Sequence, residues 1–181
     1  MQIITISGYA ESGKDTVARK LKDMLQKKGK RVVIAHYADL LKYICKQFFE
    51  WDGKKDDAGR TLLQHIGTDI VRTKNENFWV NMLWEILNMF EDQWDFCIIP
   101  DCRFPNEANA MKSTFDTTSV RVVRPHYQNH LTEEQRQHPS ETSMDNYKFD
   151  YLVVNTSLKS LDEEVYRLSR WILNGNKPNS N

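Results

Sequence analysis

Lys14 follows Gly13 directly, and four residues separate that pair from Gly8. The spacing G-x-x-x-x-G-K is that of a loop that cradles phosphate. Glycines at Gly8 and Gly13 allow backbone dihedrals closed to other residues and let the chain approach an anion closely. The loop amides, including that of Ser12, and the start of the next helix then face the anion, and Lys14 adds a full positive charge. The next residue is usually the Ser or Thr that ligates magnesium. Here Asp15 stands in that place, and the hydroxyl comes one position later at Thr16.

Two further groups carry chemistry. Asp101, Arg103 and Glu107 follow an apolar run directly, which puts a carboxylate and a guanidinium two residues apart at a strand end. Arg60, Gln64 and Thr68 recur at i, i+4 and share one side of a helix, with Thr61, His65 and Arg72 close by. The polar stretch from Tyr127 to Lys148 adds Arg136, His138, Ser140 and Glu141, and its composition suits a mobile excursion over a site. His126 and His130 are poor zinc ligands, because Pro125 breaks a helix there and no third ligand stands near.

These residues need elements to hold them. Ile3 to Ile6 reads as a buried strand, and Val17, Leu21, Met24 and Leu25 repeat at helical spacing up to a stop at Gly29. Arg31 to His36 is a second strand. Asp39 is placed to cap a helix with Leu40, Ile44 and Phe48 on its apolar face. A third helix covers residues 60–72, with Leu62, Leu63, Ile66 and Ile70 inward. Gly67 costs that helix about 1 kcal/mol relative to Ala, which signals close packing. Trp79, Met82, Leu83, Ile86, Leu87 and Phe90 form the strongest amphipathic stripe and read as core. Strands are expected at 95–100, 120–123 and 149–154, a short helix at 107–112, and a last helix capped by Ser160 with Glu163 at capping-box spacing. Strands alternating with helices give a three-layer α/β sandwich with a central five-stranded parallel sheet and right-handed crossovers. Ligands of such sheets sit at the carboxyl ends of the strands, which is where Gly8, Asp101 and Arg103 fall.

The chain has 181 residues, enough for one domain over 1–173 with a full core, and the polar tail 174–181 is expected to be disordered. Lys plus Arg and Asp plus Glu each number 25, and zero formal net charge argues against a nucleic-acid partner. Cys45, Cys97 and Cys102 form no C-x-x-C pair and suit a reducing cytoplasm. No secretory signal opens the chain, and no apolar run approaches the roughly 18 residues that span a bilayer. A cytoplasmic protein without a membrane partner is expected.

Ser12 to Thr16, Leu63 to Asp69 with Arg72, Asp101 to Glu107, His138 to Glu141 and Phe149 to Asn155 together resemble the deoxynucleoside monophosphate kinases of the phage and bacterial type. That group lies within the nucleoside monophosphate kinase-like P-loop NTPase fold, and its loop carries the same Gly-Lys-Asp-Thr variant. The resemblance implies transfer of the γ-phosphoryl group of ATP to a (deoxy)nucleoside monophosphate, with ATP and Mg2+ as cofactors. It puts Gly8, Ser12, Gly13, Lys14, Asp15 and Thr16 around the donor phosphates, Arg124 at the base of a lid that closes over them, and Asn155 near the adenine. It leaves the magnesium to Thr16, Asp15 or Asp101. Arg103 becomes a clamp on the acceptor phosphate, and Arg60, Gln64, Thr68, Arg72 and Glu107 line the acceptor pocket in a helical region at about 39–92. Arg136 acts from a lid at about 126–148. The implied partner is a small nucleotide, and a homodimer stays open. Competing readings are a kinase for phosphomevalonate or dephospho-coenzyme A, a P-loop NTPase switch, and a nucleotide-binding module. Neither a water-positioning residue nor a γ-phosphate-sensing loop speaks for the switch.

Overall fold

Described over residues 1–175, the computed structural model places β1 (Gln2–Ser7) at the centre of a parallel sheet. The other strands are β2 (Val32–Ile34), β3 (Phe96–Ile99), β4 (Asp116–Val123) and β5 (Tyr151–Val154), in the order β2-β3-β1-β4-β5. The helices are α1 (Lys14–Gln26), α2 (Ala38–Phe48), α3 (Asp57–Gln64), α4 (Phe78–Met89), α5 (Pro105–Lys112), α6 (Glu133–Gln137), α7 (Pro139–Thr142) and α8 (Leu158–Leu173). β1 runs beside both β3 and β4, so its Ile3, Ile4 and Ile6 are covered on both faces and lose all exposure. Ile4, Ile6 and Ile98 pack under Leu21 and Leu25 of α1 and Leu161 and Leu168 of α8. Ile3, Cys97 and Ile99 pack on the other face under Leu41 of α2, Leu83 of α4 and Met111 of α5. That gives the expected α/β architecture of three layers around five parallel strands.

Several local expectations shift. Leu41 and Cys45 are the fully buried residues of α2, Leu40 and Ile44 pack half-buried against the same core, and Phe48 is 72% exposed. Asp39 does not cap α2. The carboxylate of Asp101 accepts the N–H groups of Tyr37 and Ala38 at 3.0 Å each and does so instead. In α4 only Trp79, Val80, Leu83 and Leu87 are buried, whereas Met82, Ile86 and Phe90 face outward. The stripe is therefore narrower than its apolar residues suggest. The last helix starts three residues earlier than expected: Ser157 is its cap, accepting from Ser160 N at 3.1 Å, while Ser160 Oγ accepts from Ser157 N at 3.0 Å. The tail beyond Gly175 lies outside the described residues.

The third helix begins at Asp57 behind an Asp56 cap and widens at His65 into a π-helical segment, His65–Arg72. The close approach expected at Gly67 is present, since a Cβ there would meet Leu41 Cδ2 at 2.6 Å. The Gly67 carbonyl accepts Trp79 Nε1–H at 2.9 Å, which ties the widened segment to α4.

Candidate active site

The loop from Gly8 to Lys14 joins β1 to α1. Gly8 has φ +153°, and a Cβ on it would sit 2.4 Å from the Val122 carbonyl oxygen of β4. Gly13 has φ +104°, and a Cβ there would sit 2.7 Å from Asn155 Nδ2. Both glycines are thus demanded by dihedral and by space. Asn155, at the end of β5, donates from the same Nδ2 to Ser12 O at 2.9 Å and fastens the loop to the sheet. Lys14 Nζ donates to Gly8 O at 2.6 Å and Tyr9 O at 2.7 Å. Burial, with Arg103 nearby, pushes its ammonium down to about 7. Ser12 Oγ is buried in the loop with no hydrogen-bond partner among the described residues. An orphaned hydroxyl, backbone amides and a destabilised ammonium are what a phosphate would satisfy.

Two cavities meet at this loop, and Glu11, Lys14 and Asp15 line both. The first, about 390 Å³, lies over the start of α1 and is walled by Gly13, Thr16, Arg19, Arg124, Asn155 and Leu158. The Arg124 guanidinium stacks on the Tyr127 ring at 3.8 Å from its centroid, so it offers a flat cationic face at the cavity edge.

The second cavity, about 520 Å³, opens between the ends of β2 and β3 and the helix from Asp57 to Arg72. Arg60, Gln64, Thr68 and Arg72 all line it, so the i, i+4 face turns toward a single cavity. Arg103, Asp101 and Glu107 enter from the end of β3, and Tyr37, Leu41, Trp79 and Phe104 supply apolar and aromatic wall. Arg72 pairs with Glu107, both nearly buried, and its guanidinium lies 3.9 Å from the Phe104 ring centroid. Glu107 also accepts Arg103 N at 2.6 Å and Phe104 N at 3.1 Å. Burial pushes its carboxyl up to about 7 against the pull of Arg72 and those amides. Arg103 Nη1 donates to Ser140 O at 2.9 Å and pairs with Glu141. Burial works against the Arg103 charge, but Glu141 and Asp101 outweigh it and hold the guanidinium above its ordinary value.

The segment expected as a mobile excursion is anchored at many points. Gln135 Nε2 donates to Asp57 O and Thr61 Oγ1, both at 3.1 Å, and Gln64 Nε2 donates to Ser140 Oγ at 3.3 Å. Consecutive loop residues reach the same segment. Tyr9 donates to Asp145 at 2.7 Å, Ala10 N to Glu141 Oε2 at 2.9 Å, and Glu11 accepts from Tyr127 at 3.0 Å. Arg136 belongs to this segment but lines neither cavity. Its guanidinium donates to Glu133 Oε2 at 3.0 Å and to Leu131 O at 2.6 Å, partners supplied by its own helical turn and the residues before it.

Sequence spacing left some participants without a role. Glu11, at φ +64°, lines both cavities, donates nothing and gathers Arg60 at 3.2 Å and His130 Nδ1 at 2.9 Å. The His130 contact, ahead of that from Tyr127, holds its carboxyl below the usual range. An acidic residue inside a phosphate loop was the available signal. Arg19, one helical turn beyond Asp15, and Glu141 are the other omissions. Among the described residues no group of three or more His, Cys, Asp or Glu forms a metal cluster. No described helix is long and apolar enough to cross a membrane.

The family model for deoxynucleotide monophosphate kinase matches residues 35–165. No curated protein matches the chain. Among solved structures, shikimate kinase from Aquifex aeolicus is similar at 20% identity and TM-score 0.52, covering 97% of this chain and 98% of that one. An APS kinase from Mycobacterium tuberculosis is similar at 13% identity and TM-score 0.51, covering 95% and 96%. A sugar kinase from Janibacter is similar at 11% identity and TM-score 0.52, covering 94% and 93%. At such identities these likenesses speak for the fold.

Proposed function

The chain belongs to the deoxynucleotide monophosphate kinase family, and from that premise we propose that it transfers the γ-phosphoryl group of ATP to the phosphate of a (deoxy)nucleoside monophosphate. The observation that carries this reading is the pair of cavities that share Lys14. A phosphate loop alone serves any nucleotide reaction. A second cavity lined by Arg60, Arg72 and Arg103 beside the same lysine suits a second phosphorylated substrate.

In this reading ATP lies along the first cavity with its phosphates on the Gly8–Lys14 loop and its base toward Arg124 and Asn155. The acceptor phosphate meets Arg103, and its nucleoside lies toward Leu41, Trp79 and Phe104. A non-bridging oxygen of the acceptor attacks the γ-phosphorus, and the bond from that phosphorus to the β–γ bridging oxygen breaks. Its electrons stay on the departing β-phosphate of ADP. The attacking oxygen is already ionised, so no general base is needed, and catalysis is positioning plus neutralisation of charge. Lys14 and Arg103 supply the neutralisation. Arg72, engaged by Glu107, holds the cavity wall and borders the acceptor.

The hard oxygen donors Thr16 and Asp15, both on the first cavity, fit a magnesium that takes one or two protein ligands and the rest from phosphates and water. Such an ion would offset the negative charge of the donor phosphates. Asp101 accepts one N–H at each carboxylate oxygen from the start of α2 and lines the second cavity rather than the first, which suits it to reach the ion through water.

The test is ADP release from ATP and magnesium, measured with and without a panel of ribo- and deoxynucleoside monophosphates. Acceptor-dependent release supports the kinase. Release independent of acceptor would support an NTPase switch, and acceptance only of a non-nucleotide phosphate would support another small-molecule kinase.

A further inference from the structure

We propose that Glu141 is the positioning residue of this site, a buried carboxylate that fixes Arg103 and the phosphate loop to one another. The proposal rests on the kinase reading above. Glu141 stands on α7, and its side chain is 4% exposed. Its two oxygens go to two different parts of the machinery. Oε2 accepts the Ala10 N–H of the loop at 2.9 Å, across 131 positions of sequence. Oε1 pairs with Arg103 Nη1, the same nitrogen that donates to the neighbouring Ser140 carbonyl at 2.9 Å.

Three features separate this from an ordinary internal ion pair. The carboxylate borders the acceptor cavity, together with Arg103, Lys14 and Ala10, so it lies where the two substrates would meet. Its negative charge opposes the repulsion between Arg103 and Lys14, two cations brought together in partial burial. Finally, α7 is itself held from outside. His138 Nδ1 lies 2.9 Å from Ser140 Oγ, His138 Nε2 lies 3.2 Å from Asp69 Oδ1, and Gln64 reaches Ser140 Oγ at 3.3 Å. The carboxylate is therefore delivered by a braced element, and the acceptor helix does the bracing. Displacing a clamping guanidinium by about 1 Å can cost a hundredfold in rate. A carboxylate that sets its position has a corresponding effect without touching substrate.

The experiment compares the full chain with Glu141→Gln, Glu141→Asp, Arg103→Ala and the Glu141→Gln/Arg103→Ala double variant, measuring kcat and KM for both substrates and the thermal midpoint. Glu141→Gln is expected to lower kcat by about a hundredfold. Glu141→Asp keeps the charge but cannot span both partners, and an intermediate kcat is expected from a folded protein. The double variant is expected to be no slower than Arg103→Ala within about threefold, because residues acting as one unit are not additive. A wild-type kcat in folded Glu141→Gln or folded Glu141→Asp, or losses that multiply in the double variant, would overturn the proposal. If Glu141→Gln does not fold, Glu141→Asp decides by the same criterion. A wild-type chain without acceptor-dependent turnover refutes the kinase reading itself, and the positioning role with it.

Discussion

Asp101, at the end of β3, accepts the backbone N–H of Tyr37 at 3.0 Å and so joins its strand to the start of the helix that follows the neighbouring strand. The second oxygen takes Ala38 N, also at 3.0 Å. The strand-end carboxylate is thus first a cap for α2, whose Leu41 borders the second cavity. Asp101→Ala is expected to cost about 1–2 kcal/mol of stability, read by denaturant unfolding. Its effect on kcat should be far smaller than that of Lys14→Ala or Arg103→Ala, each expected to lower turnover by about a thousandfold or more. Equal losses from all three would return Asp101 to the reacting centre.

Lys14 predicts a pH signature. Its ammonium is pushed down to about 7 by burial first and Arg103 second. Between about 7 and the ordinary lysine value the unfolded chain binds more protons at this position than the folded one. This group's contribution therefore makes stability rise with pH across that window, the burial cost being full below about 7. Triphosphate at the loop restores the charge, so ATP binding above pH 7 is expected to take up a proton and to weaken with pH by at most about tenfold per unit. Calorimetry in buffers of different ionisation enthalpy measures the uptake. Lys14→Arg should abolish it.

Gly67 and Leu41 both line the second cavity, proposed above for the acceptor, and a Cβ at position 67 would come within 2.6 Å of Leu41 Cδ2. Gly67→Ala must displace that leucine, and overpacking of this kind costs on the order of 1 kcal/mol. KM for the acceptor is expected to rise while KM for ATP stays near the wild-type value. Equal changes in both constants would place Gly67 in general packing only.

Much of this site was readable because its signals are local. The loop glycines, the apolar strand before them and the i, i+4 series from Arg60 to Thr68 each depend on neighbours within a few residues. The Asp101 cap was not readable, because it depends on two strands ending side by side. Nor was the reach of Glu141 to Ala10, which only the packed segment creates. Periodicity alone turns Phe48 and Ile86 inward, and the structure leaves both exposed because Leu41, Cys45, Leu83 and Leu87 fill that layer. The widening at His65 has no pattern of its own. Its traces are Gly67 and the indole of Trp79 bonded to it.

Arg136 gives the sharpest divergence between pattern and place. A lid arginine would lose activity on removal, but this guanidinium is spent on Glu133 and Leu131. Arg136→Ala is expected to keep kcat within about threefold, as for an ordinary surface substitution. A hundredfold loss would mean that the segment rearranges to bring it to the donor.

Transfer of label is the most direct measurement of the central claim. With ATP labelled in its γ-phosphate, magnesium and a deoxynucleoside monophosphate, the label is expected to appear in the β-phosphate of the nucleoside diphosphate, one for each ADP formed, and to vanish with Lys14→Ala. Label released only as inorganic phosphate, at a rate that ignores the monophosphate, would contradict it.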